Sequence, residues 1–325
     1  MKQFFSVADV DHLPQLVDEA LQLKHNPFAA EDLGKRRTLG LVFLNPSLRT
    51  RLSTQKAAMQ LGMNVMVMNM DKEGWALETR DGVAMNGTTV EHIREAAAVM
   101  GQYCDILGLR SFPKLQDREE DYSEDLFRKF ISYCKVPVIS LESATRHPLQ
   151  SLTDLVTIRE HWPDASRPPK VVLAWGPHIK ALPQAVPNSF SEWMCRAQRE
   201  GMVDFSIAHP TGYALSEAFT NGARIVHSLD EGIEGADFVY VKNWSSYEAY
   251  GTIHPVGEPW MIDSDRLAIT NGAKVMHCLP VRRDLELASE VLDGPNSLVI
   301  QEAGNRVWAA QAVLKRMLEQ LPSNK

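Results

Sequence analysis

"TLGLVFLNPSLRTRLSTQKAAMQLGMNVMVMN", residues 38–69, changes its periodicity twice. Thr38–Asn45 is a short apolar run, the pattern of a strand covered on both faces. Thr50–Leu61 follows with a helical pattern, and Asn64–Asn69 reads as a second strand. Strand, helix and strand in succession make a parallel crossover, so the stretch predicts an α/β sheet with helices on both faces. Arg49 and Arg51 stand where the first strand must turn into the helix. Two positive charges at the mouth of a hydrophobic strand require a physical reason.

The alternation continues along the chain. Further strands are expected at Asp105–Leu109 and Val136–Ser140 in the first half. In the second half they are expected at Val171–Trp175, Asp204–Ala208, Arg224–Val226, Asp237–Val241, Lys274–His277 and Ser297–Ile300. Helical patterns cover Val90–Tyr103, Leu126–Cys134, Ser189–Glu200 and Leu215–Asn221. Near the C-terminus Val307, Ala310, Leu314, Met317 and Leu321 recur at steps of three and four residues, which aligns them on one helix face that must dock on something apolar. The Pro-rich segment Gly176–Phe190 has neither period and reads as an ordered loop. A chain of 325 residues exceeds what one core usually fills, so two domains are expected, dividing near residues 143–150.

Composition narrows the function. With 44% hydrophobic and 23% charged residues the chain has ordinary globular usage. A net charge of -7 argues against a nucleic-acid surface, which needs basic stripes, so any positive site is local. No apolar run approaches the ~20 residues of a membrane helix, and Asp9 and Asp11 interrupt the N-terminus before a signal-like core could form. The expected location is cytoplasmic. Cys104, Cys134, Cys195 and Cys278 are scattered without a CxxC, so reduced thiols are expected rather than a disulfide framework or a zinc site.

In open parallel sheets ligands bind beyond the carboxyl ends of the strands. Most of the informative polar residues sit there: Ser47, Arg49, Thr50 and Arg51; Arg110; Glu142 and His147; His178; Lys242; His277 and Arg282; Glu302 and Arg306. Ser47 and Thr50 flank a strand-to-helix turn whose free backbone N–H groups, with a guanidinium beside them, suit a phosphate. In TRHPLQ, Pro148 fits a first helical position and brings His147 and Gln150 to one crevice. In HCLP, residues 277–280, the proline leaves the carbonyls of Cys278 and Leu279 able to accept from a ligand NH2.

With SLRTR, HPLQ and HCLP in this order, the chain resembles the aspartate/ornithine carbamoyltransferase family over essentially its full length. The resemblance implies that Ser47, Leu48, Arg49 and Thr50, with Arg306, grip the phosphate of carbamoyl phosphate. Arg110 then bridges phosphate and carbonyl, His147 bonds the carbamoyl oxygen, and Gln150 with the Cys278 and Leu279 carbonyls holds the NH2. Arg110, His147 and Thr50 would be the catalytic set. The implied architecture is two doubly wound parallel-sheet domains of the carbamoyltransferase type. Residues 1–146 bind carbamoyl phosphate, with helix 303–325 docked back on them; residues 147–302 bind the second substrate and carry a knotted Pro-rich loop. No metal, organic cofactor, nucleic acid or membrane is implied, and a homotrimer with sites shared between subunits is.

The second substrate differs from that of ordinary ornithine carbamoyltransferases, whose Ser-Met-Gly loop is replaced here by VKNWSSYEAYG. Trp75, Glu142, Lys242 and the loop around His178 resemble the branch that uses N2-acylated ornithine, in which the Trp75 loop reaches a neighbouring subunit's site. In acetyl-using members of that branch a glutamate matches Val90. A carboxylate ~4 Å from the extra succinyl carboxylate would oppose it by about 4 kcal/mol, roughly a thousandfold in affinity. Valine removes that repulsion, and Lys242, Arg282 and His178 supply groups for two carboxylates. The resemblance therefore implies carbamoyl transfer to N2-succinylornithine in arginine biosynthesis. Alternatives are N2-acetylornithine, then ornithine, as acceptor, and outside enzymes an anion-binding regulatory module.

Overall fold

The structure, a computed structural model, describes residues 1–70, 72–164 and 166–322. The chain forms two compact units: Met1–Lys114 with Glu119–Leu149 and the residues from Arg306 onward, and Gln150–Asn305 with Leu115–Arg118.

The first unit holds a five-stranded parallel sheet ordered Gln3–Phe4, Val138–Glu142, Ile106–Arg110, Thr38–Phe43, Asn64–Asn69. Its central strands are buried nearly throughout because Leu, Val and Ile occupy both faces. The edge strand Asn64–Asn69 alternates exposed and half-buried residues, leaving Met66 and Met68 in solvent. Helix Arg49–Gln60 follows the Thr38–Phe43 strand and ends in paired backbone bonds, Gly62 N–H to Met59 O and Met63 N–H to Ala58 O. These satisfy its last carbonyls and need a left-handed residue at Gly62, where φ is 77°. Helices Ile93–Tyr103 and Asp125–Cys134 cover the sheet through Ile93, Ala97, Phe127, Phe130 and Cys134, packed on Val42, Leu107 and Leu109. From Thr38–Phe43 the chain moves to Asn64–Asn69 on one side and later to Ile106–Arg110 on the other, so the sheet is doubly wound and switches direction there.

The second unit repeats the plan with strands ordered Arg224–Val226, Asp204–Ala208, Lys170–Trp175, Phe238–Lys242, Lys274–Met276, all parallel. Its direction switches between Lys170–Trp175 and Phe238–Lys242, whose ends are tied by Gly176 N–H to Lys242 O at 3.1 Å and Asn243 Nδ2 to Gly176 O at 2.6 Å.

Several expected elements are corrected. Ser297–Ile300 makes only an isolated bridge, Val275 with Ser297, and Val299 begins a helix running to Leu318. A four-residue apolar run does not distinguish a strand from a buried helix turn. The Pro-rich segment is not wholly loop, since helix Ala185–Arg199 starts inside it with Pro187 in the first turn, where the missing N–H has no intrahelical partner to lose. Val90 likewise precedes its helix. Its N–H bonds Ala76 O, Glu91–His92 pairs with Leu77–Glu78 as a short parallel ladder, and helix Ile93–Tyr103 starts after the His92 cap. In the C-terminal helix Ala310, Leu314 and Met317 are buried, whereas Val307 and Leu321 are half-buried and Leu321 lies past the helix end. Among the described residues no helix is long and apolar enough to cross a membrane.

Candidate active site

In the first unit the ends of strands Ile106–Arg110 and Val138–Glu142, the start of helix Arg49–Gln60 and the C-terminal helix converge on one imidazole. Arg110 and Glu142 end neighbouring strands and are paired across a register shift after Leu109, with Arg110 Nη1 2.6 Å from Glu142 Oε2. The Arg110 guanidinium also lies 4.5 Å above the Phe112 ring, which restrains its plane. His147 Nε2 is 3.5 Å from the same Glu142 oxygen. Arg306 donates through Nη2 to Thr50 Oγ1 at 2.6 Å and to His147 Nε2 at 3.1 Å. Thr50, Arg110, Glu142, His147 and Arg306 are all buried.

These contacts fix the state of the imidazole. Burial, then the charges of Arg306, Arg110 and Arg49, hold His147 well below the ordinary histidine range, so it is neutral. Because Nε2 accepts from Arg306, its proton is on Nδ1, which is buried without a hydrogen-bond partner. Three guanidinium groups act on this site against the single carboxylate of Glu142. The local excess of positive charge, in a chain that is negative overall, suits a small dianion.

Helix Arg49–Gln60 adds backbone donors. Leu48 is its cap residue and supplies no side-chain acceptor, so the first-turn amides are left for another partner. Leu48 is exposed and Ser47 half-buried beside it. Arg51, by contrast, turns to the strand ends, stacked 4.5 Å over Phe43 and bonded to Asn69.

In the second unit two carboxylates, Glu286 and Glu302, tie Gln150, His277 and Arg282 together, and through them Leu279 and His178, with Lys242 near Glu286; the strand-end list holds Glu302 without a role and lacks Glu286. Glu286 Oε2 accepts from Arg282 N–H at 2.8 Å, and its Oε1 lies 3.5 Å from His277 Nε2. Burial alone would raise the Glu286 pKa, but His277, the Lys242 charge and the Arg282 amide together keep it below the usual carboxylate range. Glu302 accepts from Gln150 Nε2 at 3.0 Å and from His277 N–H at 2.9 Å. Leu279 N–H donates to His277 Nδ1 at 2.8 Å. Arg282 Nε donates to His178 Nε2 at 3.0 Å, so His178 is an acceptor here and aims the guanidinium. Neither acid follows a strand directly: Glu286 lies four residues beyond Arg282 in a turn, and Glu302 sits on the helix mistaken for a strand.

Trp75 and Val90 occupy the segment around the short ladder of the first unit. Trp75 is 52% exposed with its indole Nε1 on Glu91 Oε2 at 2.9 Å, and Val90 is 64% exposed. Neither takes part in the contacts around His147 described above. The thiols of Cys104, Cys134 and Cys195 are raised by burial, that of Cys195 to about 11, which keeps them protonated.

Comparison with known proteins agrees with this geometry. The carbamoyl-P binding domain of the aspartate/ornithine carbamoyltransferase family matches residues 2–160, and its Asp/Orn binding domain matches residues 187–317. The chain is 48% identical to an N-succinylornithine carbamoyltransferase of Bacteroides fragilis (strain 638R), covering 99% of this chain and 100% of the relative. It is 35% identical to an N-acetylornithine carbamoyltransferase of Xanthomonas campestris pv. campestris, covering 98% of both. Among solved structures, a variant of N-acetyl-L-ornithine transcarbamylase with one glutamate replaced by valine, complexed with carbamyl phosphate and N-succinyl-L-norvaline, superposes with a TM-score of 0.88. It is 34% identical, over 98% of this chain and 100% of that one. Two doubly wound units, a cationic pocket at a switch point and these full-length matches lead to one conclusion: the chain belongs to the aspartate/ornithine carbamoyltransferase family.

Proposed function

We propose that the protein transfers the carbamoyl group of carbamoyl phosphate to the δ-amine of N2-succinyl-L-ornithine, giving N-succinyl-L-citrulline and phosphate, in arginine biosynthesis. The observation that carries this reading is the excess of guanidinium charge around a buried, neutral His147. A phosphate dianion balances that charge, and a neutral imidazole N–H is a fixed donor for an adjacent carbonyl oxygen.

In this reading Ser47, Leu48, Arg49, Thr50 and Arg306 hold the phosphate, with Trp75 supplied by a neighbouring copy. Arg110, Thr50 and His147 stabilise the oxyanion, and Gln150 with the Cys278 and Leu279 carbonyls takes the NH2. The uncharged δ-amine forms an N–C bond to the carbamoyl carbon. The tetrahedral oxyanion then collapses, the C–O bond to phosphate breaks, and the departing phosphate accepts the amine proton. Glu142 orients the amine. Lys242 and Arg282, the latter aimed by His178, read the carboxylates, while Val90 removes the charge that would oppose succinate. The division into a carbamoyl phosphate domain at 1–146 with 303–325 and an acylornithine domain at 147–302, the knotted Pro-rich loop, the homotrimer and the cytoplasmic location belong to the same proposal.

The succinyl assignment is supported by the 48% identity to N-succinylornithine carbamoyltransferases against 35% to N-acetylornithine carbamoyltransferases. In a relative, replacing a glutamate by valine accompanies a bound N-succinyl-L-norvaline. The test supplies purified protein with carbamoyl phosphate and, in turn, ornithine, N2-acetylornithine and N2-succinylornithine, and measures the ureido product. Succinylornithine should lead in kcat/KM by about a hundredfold, and Val90→Glu should move the preference toward acetylornithine. Preference for another acceptor in the wild type, or a Val90→Glu variant with unchanged preference, rejects the acyl assignment.

A further inference from the structure

Gln150 and His277 are far apart in sequence, yet one carboxylate bonds to both. Glu302, fully buried, accepts from Gln150 Nε2 on Oε1 at 3.0 Å and from the His277 backbone N–H on Oε2 at 2.9 Å. Asp154, also fully buried, accepts from the same Gln150 nitrogen at 2.7 Å. The same amide nitrogen donates to an oxygen of each carboxylate, so the pair decides which end of Gln150 faces them. The NH2 is turned to the acids and Oε1 is turned away. Just beyond His277, the Leu279 N–H is taken up by His277 Nδ1 at 2.8 Å. Leu279 itself is left-handed, with φ 57°, before a cis peptide to Pro280. The N–H groups of His277 and Leu279 are thus both taken up within the protein.

We propose that Glu302 is a positioning residue that locks an all-acceptor set, Gln150 Oε1 with the Cys278 and Leu279 carbonyls, so that the protein selects the NH2 of a carbamoyl group over the methyl of an acetyl group on the same phosphate. This rests on the binding roles proposed above for Gln150, Cys278 and Leu279. The chemistry is that of an acceptor-lined pocket: an NH2 satisfies buried oxygens that a methyl leaves unpaired. Without Glu302, Gln150 can turn its own NH2 toward the ligand, where donor meets donor.

The test is direct binding of carbamoyl phosphate, acetyl phosphate and inorganic phosphate to the purified full chain, by calorimetry, for the wild type and Glu302→Gln. In Glu302→Gln the new amide satisfies His277 N–H with its oxygen and presents NH2 to Gln150. Carbamoyl phosphate affinity should fall about tenfold or more, while inorganic phosphate, which does not use the acceptor set, changes less than about twofold. The preference for carbamoyl over acetyl phosphate should shrink accordingly. Parallel weakening of all three ligands marks a general structural role and overturns the proposal, as does an unchanged preference. Should Glu302→Gln not fold, Glu302→Asp, whose carboxylate is one methylene short of spanning Gln150 and His277, takes its place and must show the same selective loss; retained selectivity there overturns the proposal equally. A wild type that transfers carbamoyl groups but binds the two acyl phosphates alike also overturns it, while leaving the transferase reading standing. Absence of transfer alongside a Glu302-dependent preference rejects only the transferase reading.

Discussion

Arg110 serves three neighbours at once: the Glu142 carboxylate at 2.6 Å, the Phe112 ring beneath its plane, and the imidazole whose charge it suppresses. Truncating it removes a donor fixed in place before the reaction begins and leaves a buried carboxylate without its cation. Arg110→Ala should lower kcat by at least about two orders of magnitude, read in a steady-state assay on protein whose circular dichroism matches the wild type. Near-normal turnover would take Arg110 out of the proposed catalytic set. Arg110, Glu142 and His147 were conspicuous in the sequence because each stands at or just past a strand end, where an ionisable residue has no core to pack into. Glu286 was not, and Glu302, though noted as a polar residue, received no role. Their partners come from other parts of the chain, and nothing in the spacing of a single acid reveals a distant amide waiting for it.

Strands and helices with long, regular periods were legible, and the exceptions share a physical cause. Val299 and Ile300 open a helix, after Leu298, whose start has the same apolar run as a strand, and Pro187 sits in a first turn that tolerates it. The Leu13–His25 helix, which also buries one face, was passed over in the sequence even though Leu13, Leu16, Val17, Ala20 and Leu23 mark that face. At the end of helix Arg49–Gln60 the backbone requirement can be isolated. Gly62 has φ 77°, and a Cβ there would lie 2.1 Å from the Glu31 carbonyl oxygen; Gly82 has φ 71° with nothing within 4 Å. Both alanine substitutions incur the left-handed penalty of about 1 kcal/mol, but only Gly62→Ala also forces backbone apart. Urea unfolding should therefore show Gly62→Ala less stable than Gly82→Ala by at least about 1 kcal/mol; equal losses would mean that the Glu31 segment yields without cost.

Each unit holds a buried histidine whose pKa is lowered. His147 in the first is held low by burial and three arginines, and His209 in the second by burial, beside His227. Unfolded histidines take up a proton below about pH 6.5, whereas these two, while folded, do not until lower pH. The unfolded state then binds more protons, so stability is retained above about pH 6.5 and declines as pH falls toward the folded values, by up to about 1.4 kcal/mol per pH unit for each histidine. Denaturant midpoints measured between about pH 7.5 and 5.5 should show this decline, and His209→Gln should reduce it; a flat profile would mean that the imidazoles protonate without unfolding. A different consequence follows from the bond between Arg306 and Thr50, which joins residues 256 positions apart. On the ribosome, strand Thr38–Phe43 and helix Arg49–Gln60 emerge early, but the guanidinium that bonds Thr50 is translated only after the whole second unit. A nascent chain, or one cut short by a stop codon before position 306, can fold much of its sheet and still lack the contacts of Arg306 to Thr50 and His147, so the arginine cluster around that imidazole is completed only as one of the final events of synthesis.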